Sequence, residues 1–144
     1  MKLDVKVKNT IQRSVEEVFE AIVNPEKLTG YFVSATNARI TEGAKIKWEF
    51  ADYNVTVNVD VKEVVLNRKI VFDWSASGVK AEVTLSFHSE TTSKTTLEIT
   101  ERTFEFSEEG VAKAMQQTQG WTDFICSLKA YLYTGINLRS GKYN

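Results

Sequence analysis

Residues 107–135 read SEEGVAKAMQQTQGWTDFICSLKAYLYTG, and this stretch decides the fold. Ser107 can cap a helix because its hydroxyl accepts an otherwise unpaired backbone N–H. Glu108 and Glu109 follow where the helix dipole favours negative charge. Val111, Met115, Thr118, Trp121, Ile125, Leu128 and Leu132 then recur at spacings of three and four, which places them on one helix face. Thr134-Gly135 supplies the stop, since glycine readily takes the left-handed conformation that ends many helices. At 1.5 Å per residue the rod is about 40 Å long. Gly120 inside it costs about 1 kcal/mol against alanine, and close packing on a neighbouring surface is the simplest reason for it. A rod this long with one apolar stripe has to bury that stripe, so the rest of the chain must provide the cover.

Upstream, residues 35–106 provide it as β-structure. Ile46, Trp48 and Phe50 alternate with Lys45, Lys47 and Glu49. Val55, Val57, Val59 and Val61 alternate with Thr56, Asn58, Asp60 and Lys62. Ile70, Phe72 and Trp74 form a third such face. Val79, Ala81, Val83, Leu85 and Phe87 form a fourth, and Thr95, Leu97 and Ile99 a fifth that can run on to Phe104 or Phe106. Short polar turns separate them, so neighbours pair antiparallel. Residues 3–11 are a further half-buried strand, on Leu3, Val5, Val7 and Ile11. After it, Ser14-Val15-Glu16-Glu17 is a capping box for a helix over about 14–24, with Val15, Val18, Phe19, Ile22 and Val23 on its apolar face. Asn24-Pro25 ends that helix and starts a short one over 25–29. The expected architecture is α+β: a curved antiparallel sheet of six to seven strands gripping the C-terminal helix, with two short helices after the first strand. Residues 1–144 read as one domain with its core over about 3–135 and a loose tail over 136–144.

Composition narrows the function classes. With 18 Lys and Arg against 19 Asp and Glu, the chain lacks the basic surplus of a dedicated nucleic-acid binder. No apolar run is long enough to span a membrane. One cysteine, Cys126, cannot form an internal disulfide, and the start MKLDVKVK lacks the apolar segment of a signal peptide, so a cytoplasmic location is expected.

Three stretches resemble one known group. The order of elements is similar to the helix-grip, START-like or Bet v 1-like superfamily, and within it to the branch of the activator of heat-shock protein 90 ATPase. The resemblance rests on Ser14–Ala21 with Asn24-Pro25-Glu26-Lys27-Leu28, on Glu42-Gly43 before Ile46-Lys47-Trp48, and on Gly120-Trp121-Thr122-Asp123-Phe124 running through Leu128–Leu132 to Gly135. It departs from that branch at Tyr31-Phe32, where a Trp-Trp or Trp-Phe pair is usual, and at Ile125, where leucine is usual. The resemblance implies a helix-grip fold and a chaperone as a partner, while the cavity between sheet and final helix is expected because a strongly curved sheet does not fill completely around one helix.

Chemistry-bearing residues are few. His88 falls in the outward phase of its strand with Lys80, Glu82, Thr84 and Ser86, and reads as a surface histidine. No second His or Cys stands at metal-ligand spacing, and no metal or cofactor is expected. Cys126 reads as a buried, inert thiol beside Ile125. Asp52, Asp60, Asp73 and Asp123 invite a paired-carboxylate reading, but Asp60 shares its phase with Asn58 and Lys62 on a solvated face. No nucleophile elbow, phosphate loop or dinucleotide fingerprint occurs, so no catalytic residue is named.

The aromatic residues carry more. Trp48, Phe50, Phe72 and Trp74 share one sheet face, opposite Met115, Thr118, Trp121 and Thr122 on the final helix. With Tyr31 and Phe32 at the mouth, and Gln117 and Tyr53 as polar anchors, these form the expected lining of a cavity, although each aromatic reads equally well as plain core. The leading expectation is non-enzymatic binding of an apolar or aromatic small molecule there. The alternatives are a chaperone-associated interaction module and a cavity-based hydrolase or cyclase.

Overall fold

The computed structural model describes residues 1–139. Ten elements follow in order: β1 (Lys2–Ile11), α1 (Val15–Val23), α2 (Pro25–Leu28), β2 (Ala35–Thr36), β3 (Lys45–Phe50), β4 (Val55–Val65), β5 (Lys69–Trp74), β6 (Ala81–Thr91), β7 (Lys94–Glu105) and α3 (Glu108–Thr134). The strands form one seven-stranded sheet in the order β1-β7-β6-β5-β4-β3-β2, with every neighbouring pair antiparallel. Bulges between Leu3 and Val5 and between Val61 and Glu63 bend it. This is the curved, helix-gripping α+β sheet that the sequence implies.

The caps sit where the sequence places them. Ser14 Oγ accepts from Glu17 N at 3.2 Å, Asn24 Oδ1 from Glu26 N at 2.9 Å, and Ser107 Oγ from Gly110 N at 3.1 Å. Gly135, at φ 76°, closes α3 through its N–H to the Tyr131 carbonyl. α3 lies across β1 and β7, and α1 closes one end against β6 and β7. The sheet's inner face supplies Ile46, Trp48, Val59, Ile70, Phe72, Val83, Leu85, Leu97 and Ile99 to one buried core.

The helix face differs from the expected stripe in its first half. There the buried residues are Gly110 and Ala114, whereas Met115 is 69% exposed and Val111 only partly covered. The cause is close approach. A Cβ on Gly110 would lie 1.8 Å from the Glu105 carbonyl oxygen, so nothing larger than glycine fits where α3 leaves β7. From Trp121 onward the stripe is apolar as read at Trp121, Ile125 and Leu128, and Phe124 is buried beside it. Two further expectations are corrected. Cys126 is exposed, on the outer side of the helix. Gly120 has open space where a side chain would stand, so sheet packing does not explain it. Within the stretch expected as a loose tail Arg139 is buried; residues 140–144 lie outside the described residues.

Candidate functional site

β4 alternates regularly, yet its inner residues are not equally covered. Val59 and Val61 are buried, Val57 is partly covered and Val55 is 46% exposed. The first residues of β4 are left uncovered, and a cleft of about 260 Å³ opens between them and α3. Phe50, Tyr53, Val55 and Val57 line it from the β3–β4 hairpin, and Trp74 and Ala76 from the end of β5. Gln116, Gln117, Gly120 and Trp121 line it from α3, while Phe32 and Arg139 close the inner end. Gly120 belongs to this mouth, where a side chain would narrow the opening.

Aromatic rings form the floor. Trp74 and Trp121 lie 5.2 Å apart at a 32° tilt, and Phe32 meets Phe50 edge-on at 5.2 Å and Trp121 at 6.2 Å. Beneath the two indoles is Glu101, with 0% exposure. Its carboxylate accepts from Trp121 Nε1 at 2.8 Å, from Trp74 Nε1 at 3.0 Å, and from Gln117 Nε2 at 3.0 and 3.3 Å. A buried carboxylate is tolerable only when donors replace its lost water, and here three side chains do so. The result is a rigid unit that ties β5, β7 and α3 together. Both indole N–H groups point at Glu101, away from the cleft, which leaves the ring faces as its surface.

At the inner end Arg139 lies over the Phe32 and Phe50 rings, at 5.4 and 5.9 Å from their centroids. Its Nη1 donates to the Phe32 carbonyl at 2.6 Å. Its Nε lies 3.8 Å from Asp52 Oδ2 and its Nη2 lies 3.8 Å from Asp123 Oδ2. The Asp52 side chain is 3% exposed, and neither of its oxygens has a hydrogen-bond partner among the described residues, so Arg139 is the compensation for that charge. Tyr53 and Arg139 are the titratable groups of the lining. Among the described residues no cluster of His, Cys, Asp and Glu could hold a metal ion, and no helix is long and apolar enough to cross a membrane.

Of the residues named from sequence, Phe32, Phe50, Trp74, Trp121, Gln117 and Tyr53 come together in the lining. Trp48 and Phe72 do not. They are core, packed edge-on behind Trp74 at 6.0 and 5.5 Å. Tyr31 is not at the rim either. It is fully buried, and its hydroxyl donates to the Ala21 carbonyl at 3.0 Å. Burial first, and Tyr131 beside it second, push that phenol well above its ordinary pKa. Met115, Thr118 and Thr122 face solvent, the hydroxyls of the last two donating back to the Ala114 and Thr118 carbonyls. His88 is exposed. Glu101 and Arg139 were not anticipated. The signal for Glu101 was in the strand period, because it follows Thr95, Leu97 and Ile99 in the inward phase. Nothing in the local sequence marks Arg139.

Comparison with known proteins places this geometry among relatives. The model of the family described as Activator of Hsp90 ATPase homolog 1-like protein matches residues 12–133. No curated protein matches the chain. Among solved structures, protein SSP2350 from Staphylococcus saprophyticus is 29% identical, with a TM-score of 0.82 over 95% of this chain and 96% of that one. DynU16, from the dynemicin biosynthetic locus, is 27% identical with a TM-score of 0.81 over 92% of this chain, which spans 48% of its length. PFC0360w from Plasmodium falciparum, described as an HSP90 activator, is 20% identical with a TM-score of 0.74 over 90% of this chain and 96% of that one. That last likeness is one of fold.

Proposed function

The chain belongs to the activator of Hsp90 ATPase homolog 1-like family, and on that premise we propose that it binds an apolar or aromatic small molecule in the cleft between β4 and the first half of α3. The observation that carries this reading is the uncovered inner face of β4 opposite the Trp74–Trp121 pair. Apolar surface left open inside an otherwise filled core gains about 25 cal/mol for each Å² that a ligand removes from water. The concave shape, aromatic floor and few polar groups are those of small-molecule sites in general. The test is titration of a broad library of lipids and aromatic metabolites against ¹⁵N-labelled protein, following the indole N–H signals. Trp74 and Trp121 should shift together on binding. Absence of any indole shift across the library overturns the reading.

A second reading, a chaperone-associated interaction module, draws its support from the family match and from the fold shared with PFC0360w. Fold likeness is an associational argument. Capture of an Hsp90-type chaperone from the source cell, lost when the surface of the protein is altered but kept when the cleft is blocked, would favour it over carriage.

A further inference from the structure

Glu101 constrains more than the two indoles. A carboxylate surrounded by three N–H donors can only accept, so the amide of Gln117 must turn its Nε2 toward Glu101. The amide oxygen of Gln117 then points the other way. It has no hydrogen-bond partner among the described residues and is not one of the sealed, unpartnered buried atoms, and Gln117 lines the cleft. Its Oε1 is therefore an acceptor of fixed direction on a wall whose other polar side chains are Gln116, Tyr53 and Arg139. Of the donors nearby, the two indole N–H groups and Arg139 Nη1 are directed elsewhere, Arg139 Nε is sealed from the cleft, and the amide of Gln116 stands on an exposed residue. The indole N–H groups go to Glu101, and Arg139 gives Nη1 to the Phe32 carbonyl while its charge faces Asp52 and Asp123. Tyr53 is 63% exposed at the rim.

We infer that the cleft selects neutral ring compounds that carry a hydroxyl or N–H donor, with Gln117 Oε1 as the recognising atom and Glu101 as the positioning residue that fixes it. This rests on the small-molecule reading above and names the ligand class for the same site. A ligand whose polar group can only accept leaves Gln117 Oε1 desolvated and unpaired. A ligand that donates replaces the lost water.

The probes are 2-naphthol and 2-methoxynaphthalene, which share a ring system and an oxygen but differ in the donor. Titrated into the full chain and followed at the Trp74 and Trp121 indole signals, 2-naphthol should bind about five- to tenfold tighter, the ratio that one net hydrogen bond gives. Gln117→Met keeps the length of the side chain and removes the acceptor, so it should bring the two affinities within about twofold of each other. Glu101→Gln leaves Gln117 Nε2 one acceptor where it had two, so its amide is held less firmly and the ratio of the two affinities should shrink, whatever happens to the affinity for 2-methoxynaphthalene itself. Should that variant not fold, Gln117→Met decides alone. If both probes bind wild-type protein equally, or the preference survives Gln117→Met, the inference falls while the cleft stands. If neither probe moves the indole signals, the inference falls, and the library titration alone decides the cleft.

Discussion

The three-donor arrangement around Glu101 makes a quantitative prediction that does not depend on the cost of burying its charge. Glu101→Gln keeps the shape but halves the accepting capacity. The carbonyl of the new amide can serve Trp121 and Gln117, whose donors lie on one oxygen at 2.8 and 3.0 Å, leaving its NH₂ facing Trp74 Nε1 across the 3.0 Å now occupied by a hydrogen bond. Two donors then confront each other, and an orphaned buried donor costs about 1–3 kcal/mol. Trp74→Phe behaves oppositely in the two backgrounds. In the wild type it removes a hydrogen bond to a charged acceptor, about 1.5–3 kcal/mol, together with part of the indole's packing. With Gln at position 101 the packing loss is the same, but the substitution now relieves the conflict. The double-mutant cycle therefore cancels packing and isolates a coupling of about 2.5–6 kcal/mol, the lost charged hydrogen bond plus the relieved conflict. Urea unfolding of the four proteins, followed by circular dichroism, measures it. At a typical slope of about 2 kcal/mol/M, the midpoint shift caused by Trp74→Phe should differ by about 1 M or more between backgrounds. Additivity within about 0.5 kcal/mol would refute the claim that Glu101 holds the indole.

Other substitutions separate the remaining features. Gly110→Ala should destabilise despite alanine's better helix propensity, by about 2 kcal/mol or more, because the added methyl meets the Glu105 carbonyl at 1.8 Å; thermal melting measures it. Gly120→Ala has open space and should stabilise by about 1 kcal/mol in the same assay, while narrowing the cleft mouth. Arg139→Ala should cost about 2 kcal/mol by stranding Asp52, and adding Asp52→Asn should recover part of that loss; equal stability of the single and double variants in urea would contradict the pairing. Glu20 is held below its ordinary carboxylate pKa, chiefly by its hydrogen bonds from Arg39 at 2.6 and 2.9 Å, against a smaller opposing effect of burial. A depressed pKa adds stability above the unfolded value near 4.5 and loses it as pH falls through the folded one. The advantage of wild type over Arg39→Ala should accordingly be constant at neutral pH and vanish in acid, and an advantage that persists at low pH counts against the assignment.

Much of the fold was legible because hydrophobic period is a strong signal where side chains are large. Ile46, Trp48 and Phe50 could be read as one face of a strand, and Trp121, Ile125 and Leu128 as one face of a helix. The reading slipped by one position in the first half of α3. There the contact surface is built from Gly110 and Ala114, whose smallness is what allows close approach, and apolarity alone selected Met115 instead. The site was legible in part for the same reason. Its aromatic floor announced itself, whereas Glu101 was hidden because a carboxylate in a strand reads as solvent-facing unless its donors on β5 and α3 are known. Arg139 depended on a return of the chain after Gly135 that no local pattern encodes.

The three tryptophans of this protein form an unbroken series, Trp48 to Trp74 at 6.0 Å and Trp74 to Trp121 at 5.2 Å. Chromophores that close share their excitations, so the ultraviolet circular-dichroism spectrum should contain a couplet belonging to the trio and to no single indole. Because Trp121 rides on the helix and the other two on the sheet, the sign and size of that couplet report the angle between the two layers. The chain thus carries its own optical goniometer, needing no label, and any molecule that wedges the layers apart should change the circular dichroism of the indole bands.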